Sequence, residues 1–583
     1  MPGKRSAREF RPKAVVVSAK QERRRYGPLP KLEPTVEIPY ANTRGDAPTP
    51  AQVVRAMLDS PAWQAVMQPV LDDYERKRQE RKKVKPAYTT TELESVFLFQ
   101  FVAGIETVRE TRAHLTSHLG AEARRLLGFD KPRQSKGQVT QIHSVPSEAT
   151  LSRHRLAFAP PEAGRVAPAK PPEVAAASGP TVYELKKAEV ERQRAAISVR
   201  RDLYRRFLAQ WVADYLKTPQ GDEAARALFV DGTTLNSYFD CLITDDGVPQ
   251  NDEPREHKRC RVKPIFDDRG RMVWDGLLSE AQWEALRQQE PSFRRYWKYS
   301  ADGGYLALDA GENRHGHGYS IVSAVDSVGM PLDFAAGAIQ AGERARALEL
   351  FAKLPAHLAH LPVDENVRVV SADAGFTGHD VRDAIRDLGL LENIHPVSGF
   401  NEARSVAHAA RRAASRRRIA HKESGRETWL TDGHCNLFCE CGAGEVQKRF
   451  RRDRSGRLIP SLEGTCPTCG PITVTSGHWK YRGKKWVHRA KHPGGEPDLQ
   501  MGNPLTFNNP ISKEYARRRF AVHEGVHSIL ANRFGLLRGR QRVKYLEEVE
   551  LRTAMTFCAL HGIAYTRAKL AQAPQAPAIK VAA

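Results

Sequence analysis

The sequence predicts an α/β chain: a mixed sheet with flanking helices, an all-α region ahead of it, and a small cysteine-bearing β insertion within it. Three observations lead there. Two apolar runs of strand length, Ala227–Val230 and Val367–Ala372, each stop at an aspartate with glycine close behind, Asp231-Gly232 and Asp373-Ala374-Gly375. Strand-length and helical patterns alternate from Ala227 to Val397. Five of the eight cysteines fall between Cys435 and Cys469.

Length and charge bound the rest. At about 150 residues per domain, 583 residues suggest three or four domains. Lys plus Arg total 91 against 68 Asp plus Glu, a formal net charge of +23, which speaks to partners rather than to fold. The natural partner is a polyanion. Double-stranded DNA, with one charge per roughly 1.7 Å of axis, is the densest one, although a ribosome-associated protein shares such a balance. No apolar run approaches the roughly 20 residues that span a bilayer, and Met1–Gly45 lacks the apolar centre of a signal peptide. The expected location is cytoplasmic and nucleoid-associated, and cysteines clustered in so long a chain suggest a metal site in a reducing compartment.

In chain order, residues 1–48 read as a flexible basic arm and 49–159 as a helical DNA-binding region. Thr49-Pro50-Ala51-Gln52 has the form of a capping box with proline at the first helical position. Pro146–Leu156 predicts a short helix showing Ser, Thr, Arg and His to solvent. It suits a recognition helix in which Arg153 and Arg155 reach phosphate, and equally a plain solvated helix. Residues 160–225 form an Ala/Pro-rich linker and a charged helix from Val182 to Leu216. Residues 226–400 hold the first part of the core: a strand to Asp231, a hairpin over Gly318–Asp326 and Met330–Phe334, a helix over Ala341–Ala359, the strand to Asp373, a helix from His379, and a strand over Asn393–Val397. Three strands, helix, strand, helix, strand is the order of a ribonuclease-H-like mixed sheet.

Residues 401–510 predict a basic, zinc-ribbon-like β insertion. Cys439-Glu440-Cys441 and Cys466-Pro467-Thr468-Cys469 offer four thiolates, the tetrahedral donor set of structural Zn²⁺, with His434 or Cys435 as possible replacements for one of them. Arg449, Arg451 and Lys484 lie in clusters where cations alternate with aromatic residues, a composition that grips nucleic acid. Residues 511–572 return to the core, and 573–583 form a flexible tail.

Two adjacent strands ending at Asp231 and Asp373 would set two carboxylates side by side, and oxygen-ligated divalent cations relieve such repulsion. Glu524, on a helix predicted over Tyr515–Leu530 with Phe520, Val522 and Val526 inward, would complete a three-carboxylate cage for two Mg²⁺ ions. A rival occupies the same stretch. His523-Glu524-Gly525-Val526-His527 fits the zinc-metallopeptidase pattern of two histidines one helical turn apart, with Glu547 as a third ligand. That alternative leaves the strand-end aspartates and the basic surface without a role.

The residues Asp231-Gly232-Thr233, Ala372-Asp373-Ala374-Gly375-Phe376, the hairpin through Gly329-Met330-Pro331-Leu332, and the Glu524 helix before Arg533-Phe534-Gly535 resemble the DDE transposases of bacterial insertion sequences. The resemblance covers roughly residues 227–570. It implies a catalytic triad of Asp231, Asp373 and Glu524, Mg²⁺ or Mn²⁺ as cofactor, terminal inverted repeats and target DNA as substrates, and a homodimer or larger assembly on DNA. Relatives carry a Tyr, Arg, Glu, Lys signature on the last helix. Here Tyr515 and Arg518 keep their mutual spacing, Glu524 comes two residues late, and Arg533 is the nearest cation to the missing lysine. A second expectation is a DNA-binding regulator derived from such an enzyme and lacking turnover.

Overall fold

The computed structural model describes residues 47–82, 87–105, 107–130, 145–160, 181–236, 280–292, 315–339, 342–360, 368–376, 379–394, 510–532 and 545–572, together with the courses of short strands within 133–141, 242–274, 304–307 and 417–488. The predicted arm (1–48), linker and tail lie almost wholly outside these residues. Among the described residues no helix is long and apolar enough to cross a membrane.

The N-terminal region is helical, with α1 Pro50–Leu58, α2 Gln68–Lys82, α3 Thr90–Val102, α4 Val108–Thr116, α5 Ala121–Leu127 and α6 Glu148–Arg155. Local sequence sets its starts. Thr49, Thr89 and Thr107 each form a capping box with Gln52, Glu92 and Glu110, satisfying backbone N–H groups that the first turn leaves unpaired. The 35-residue α7, Val182–Leu216, opens with another such box at Thr181 and runs into the core, burying Leu203, Phe207, Trp211 and Leu216.

A buried polar cluster ties this region together. Glu94 of α3 accepts hydrogen bonds from Arg200 Nη2 (2.5 Å) and Tyr204 Oη (2.8 Å) of α7, and its other oxygen lies 2.9 Å from His154 Nε2 of α6. Although burial pushes the Glu94 carboxyl upward, Arg200 and His154 outweigh it and hold the group down at about 2. His154, expected on the solvent face of α6, is therefore an inward-facing residue. Its ring also stacks on Phe97, and the guanidinium of Arg155 lies over the same Phe97 ring (5.1 Å). Arg153 is exposed and bonds the Ala149 carbonyl.

The central sheet contains β1 Ala227–Asn236, β2 Gly304–Ala307, β3 His315–Val325, β4 Pro331–Ala338, β5 Val369–Ala372 and β6 Leu391–Ile394. Its order is β4-β3-β1-β5-β6, with β2 paired to β3 outside this path. The first three of these neighbours run antiparallel and the last three parallel, as expected of a mixed sheet. Several boundaries differ from the sequence reading: β3 begins at His315 and β4 runs on to Ala338, beyond the expected hairpin. β1 continues past Asp231 to Asn236, because residues 229–236 pair with β3. β6 begins at Leu391 and its described course ends at Ile394, two residues earlier than expected at the start.

Helices α8 Gly342–Leu358, α9 His379–Asp387, α10 Pro510–Asn532 and α11 Leu546–Gln572 complete the core. Strand alternation shows that both faces are covered. In β4, Asp333 meets His357 of α8 (3.1 Å), while its neighbour Phe334 packs edge-on against Phe557 of α11. In β1, Asp231 meets Arg519 of α10, while Gly232 faces Glu343 of α8. Thus α8 covers one face, and α10 and α11 the other. Helix α11 also packs on α7 and α1, joining sheet and helical region in one apolar core.

The insertion forms an antiparallel six-stranded sheet, β7 Arg417–Ala420, β8 Glu427–Leu430, β9 Leu437–Cys439, β10 Glu445–Arg452, β11 Leu458–Cys466 and β12 Gly470–Thr475, in sequence order. Leu437 pairs with Val446, Gln447 with Thr465, and Cys466 with Gly470. The strand ends leading into both cysteine pairs therefore share one end of this sheet. Cys441, Cys469 and the side chains of Cys439 and Cys466 lie outside the described residues, as does Lys484. Arg449 and Arg451 lie on β10, where the pairing with β11 is irregular between Phe450 and Arg451.

Candidate active site

The register of the two central parallel strands builds the site. Val230 of β1 stands opposite Ala372 of β5, so the next residues, Asp231 and Asp373, emerge together at the carboxyl end of the strand pair. At Asp373 the chain leaves the sheet into a short turn, Ala374–Phe376, and the side chain is 53% exposed. Asp231 stays in a continuing strand and is more enclosed. Its Oδ1 accepts the Gly232 N–H (2.9 Å) and its Oδ2 accepts Arg519 Nη1 (2.6 Å). Arg519 Nη2 lies 3.9 Å from Asp373 Oδ1, so one guanidinium spans both aspartates.

The Asp231 carboxyl is raised above the usual range. Burial is the main cause, opposed by Arg519 and the Gly232 N–H and reinforced by the charges of Asp373 and Glu524. Glu524 sits on α10 with an exposed side chain, near enough for its charge to act on Asp231. Asp231, Asp373 and Glu524, remote in sequence, thus belong to one electrostatic neighbourhood.

A fourth carboxylate joins them. Glu343, in the first turn of α8, is half-buried, and its pKa is raised by burial, then by Asp231 and Asp373. A Cβ on Gly232 would stand 2.4 Å from Glu343 Oε1, and one on Gly375 3.5 Å from Oε2. The glycine after Asp231 therefore makes room for this carboxylate rather than turning the chain. Sequence reading missed Glu343 because an acidic residue in a first helical turn is ordinarily explained by the helix dipole. Arg519 was missed because nothing distinguishes it within Arg517-Arg518-Arg519.

All-oxygen donors suit hard cations such as Mg²⁺ or Mn²⁺. Yet among the described residues no three of His, Cys, Asp and Glu stand close enough together to hold a metal ion, and Arg519 lies between the two aspartates. The donor chemistry fits a divalent ion, and holding one takes both displacement of Arg519 and closer approach of the carboxylates. Glu343→Gln is expected to weaken Mn²⁺ binding at this site about tenfold or more, measured by calorimetric titration.

The histidines of the rival motif point elsewhere. His523 is fully buried beside the Phe229 backbone without hydrogen-bond geometry to either ring nitrogen, and His527 Nε2 is likewise unpaired. The rings lie 5.4 Å apart, while Glu524 between them in sequence is exposed. Glu547 is paired with Arg194 of α7 (2.9 Å). Burial is the first cause that lowers His523 to about 3 and His527 to about 4; it also lowers His561, bonded to the Pro331 carbonyl, to about 4.

These shifts have a thermodynamic consequence. A histidine lowered on folding contributes stability above pH 6.5 that is lost as pH falls, because the unfolded chain then binds the proton. Asp326, buried in the β3–β4 turn and raised to about 6, acts oppositely: its contribution is present below 3.8 and lost as pH rises through 6. His154 is lowered as well, and Asp231 and Glu343 are raised like Asp326, so four histidines oppose three carboxyls; the large histidine shifts leave a net proton uptake on unfolding between pH 6 and 4.5, on the order of 1 kcal/mol per pH unit. Melting temperature is expected to drop steeply across that interval, and His561→Gln should flatten the slope.

Other expected contacts divide. Tyr515 is 1% exposed and packs in the core, so it does not offer a ring to DNA. Arg518 is partly exposed on α10. Phe520, expected inward, is 61% exposed, while Val522 and Val526 do face the core. Arg533 lies outside the described residues. Compared with known proteins, the chain matches no protein-family model and no curated relative.

Proposed function

We propose that the chain is a metal-dependent DNA transposase with a ribonuclease-H-like core, in which Asp231, Asp373 and Glu524 hold Mg²⁺ or Mn²⁺ and Glu343 supports them. The observation that carries this reading is the β1–β5 register, which sets Asp231 and Asp373 side by side under a single guanidinium. The net charge of +23 supports a DNA substrate. The basic β10 of the insertion supports a second DNA contact, with structural Zn²⁺ held by Cys439, Cys441, Cys466 and Cys469.

Held by these residues, a divalent ion would lower the pKa of an attacking water or 3′-hydroxyl and offset charge on the departing oxygen. The protein's own residues define where this happens. Asp231, held by the Gly232 N–H, fixes one side, exposed Asp373 opens the site to a phosphate, and Glu524 closes it from α10. Cutting would free a 3′-hydroxyl at each element end for attack on target DNA, which calls for two protomers acting together on DNA.

The test is incubation of the purified protein with supercoiled plasmid carrying the DNA that flanks the gene. Expected are nicks with 3′-hydroxyl ends at inverted repeats in Mg²⁺ or Mn²⁺ and none in EDTA; binding with no cleavage in either metal counts against the enzyme. That outcome would favour a non-cleaving DNA-binding regulator, a reading to which Arg519, seated between the aspartates, lends support. Against the metallopeptidase stand the inward imidazoles and the pairing of Glu547 with Arg194.

A further inference from the structure

Arg519 occupies a position that its sequence neighbours do not explain. Its side chain is only 13% exposed, although it stands in a run of three arginines on a surface helix. One terminal nitrogen is 2.6 Å from Asp231 Oδ2 and the other 3.9 Å from Asp373 Oδ1. Enclosure limits screening by salt, so this contact is worth more than an exposed ion pair. A guanidinium remains charged at any accessible pH, so the pair of carboxylates has a permanent monovalent partner.

A divalent cation would need the same oxygens. A divalent cation bridging Asp231 and Asp373 would enter the space that the guanidinium spans, and two cations competing for the same pair of carboxylates repel one another. The way out is on the Asp373 side, which is the exposed one. A long flexible stem lets an arginine head move several ångströms while its Cα stays fixed, and a planar fork released at the site mouth matches phosphate oxygens.

We infer that Arg519 is a built-in counter-ion of the Asp231–Asp373 pair, which a divalent cation must displace and which then turns to the DNA phosphate. It keeps the two carboxylates together before metal arrives and sets a threshold for metal loading. This inference rests on the reading of the two aspartates as metal ligands.

Mn²⁺ binding to the full-length protein without DNA tests it, with free Mn²⁺ followed by electron paramagnetic resonance. Arg519→Gln should bind Mn²⁺ about tenfold more tightly than the parent, and Arg519→Lys, which keeps the charge, should stay within about threefold of it. Circular dichroism confirms that each variant is folded, and Arg519→Met, which also removes the charge and is expected to bind Mn²⁺ about tenfold more tightly, takes the place of the glutamine variant if that one is not folded. Equal or weaker binding by Arg519→Gln, with Asp373→Asn abolishing it, overturns the counter-ion role while leaving the metal site intact. If neither parent nor Arg519→Gln binds Mn²⁺, the metal-ligand reading falls, and the inference with it.

Discussion

Asp373→Asn lowers metal-dependent DNA cleavage by a factor on the order of 10³ or more, equivalent to about 4 kcal/mol of transition-state stabilisation, while DNA affinity stays within about twofold. The substitution keeps shape and removes charge. Asp373 lies just beyond the last paired residue of β5 and is half exposed, so the fold loses little. Arg519 still has Asp231 at 2.6 Å, and the stronger of its two contacts survives. What disappears is one of the two adjacent oxygen donors. Gel-based cleavage and binding assays on the same preparation separate the two effects, and residual cutting within tenfold of the parent would remove Asp373 from the chemistry.

Glu94→Ala destabilises the protein by about 3–5 kcal/mol, the range seen when one member of a buried ion pair is deleted. Glu94 is the meeting point of α3, α6 and α7. Without it Arg200 is left as an uncompensated buried cation that cannot shed its proton, and its Nε already has no hydrogen-bond partner. Tyr204 and His154 lose their acceptor at the same time. Glu94→Gln keeps some of these bonds and should cost less. Urea denaturation followed by intrinsic fluorescence gives the difference, and limited proteolysis should show α6 released first; an unchanged midpoint would mean that the cluster is replaceable.

Much of the fold was legible because local rules decided it. A threonine cap announced α1, and apolar runs closed by Asp231 and Asp373 announced the parallel pair on which the site stands. What sequence could not show depended on contacts between distant segments. His154 and Phe520 exchange their expected sides, since periodicity names a stripe but not which neighbour covers it. Tyr515 became core for the same reason. Gly232 read as a turn because its true cause, the Glu343 carboxylate, comes from a helix more than a hundred residues away. Arg519 was one arginine of three until α10 met β1.

The order in which the site's parts occur along the polypeptide carries a consequence for its synthesis. Both aspartates and Glu343 leave the ribosome before the cysteine-bearing sheet, whereas Arg519 and Glu524 arrive on α10 after it, and α11, which seals strand β4 to α7, arrives later still. A translation product broken off within the insertion has its acidic strand ends but no cation between them and no third acid. On the proposed reading, any capacity to cut DNA would be acquired only in the final stage of chain growth.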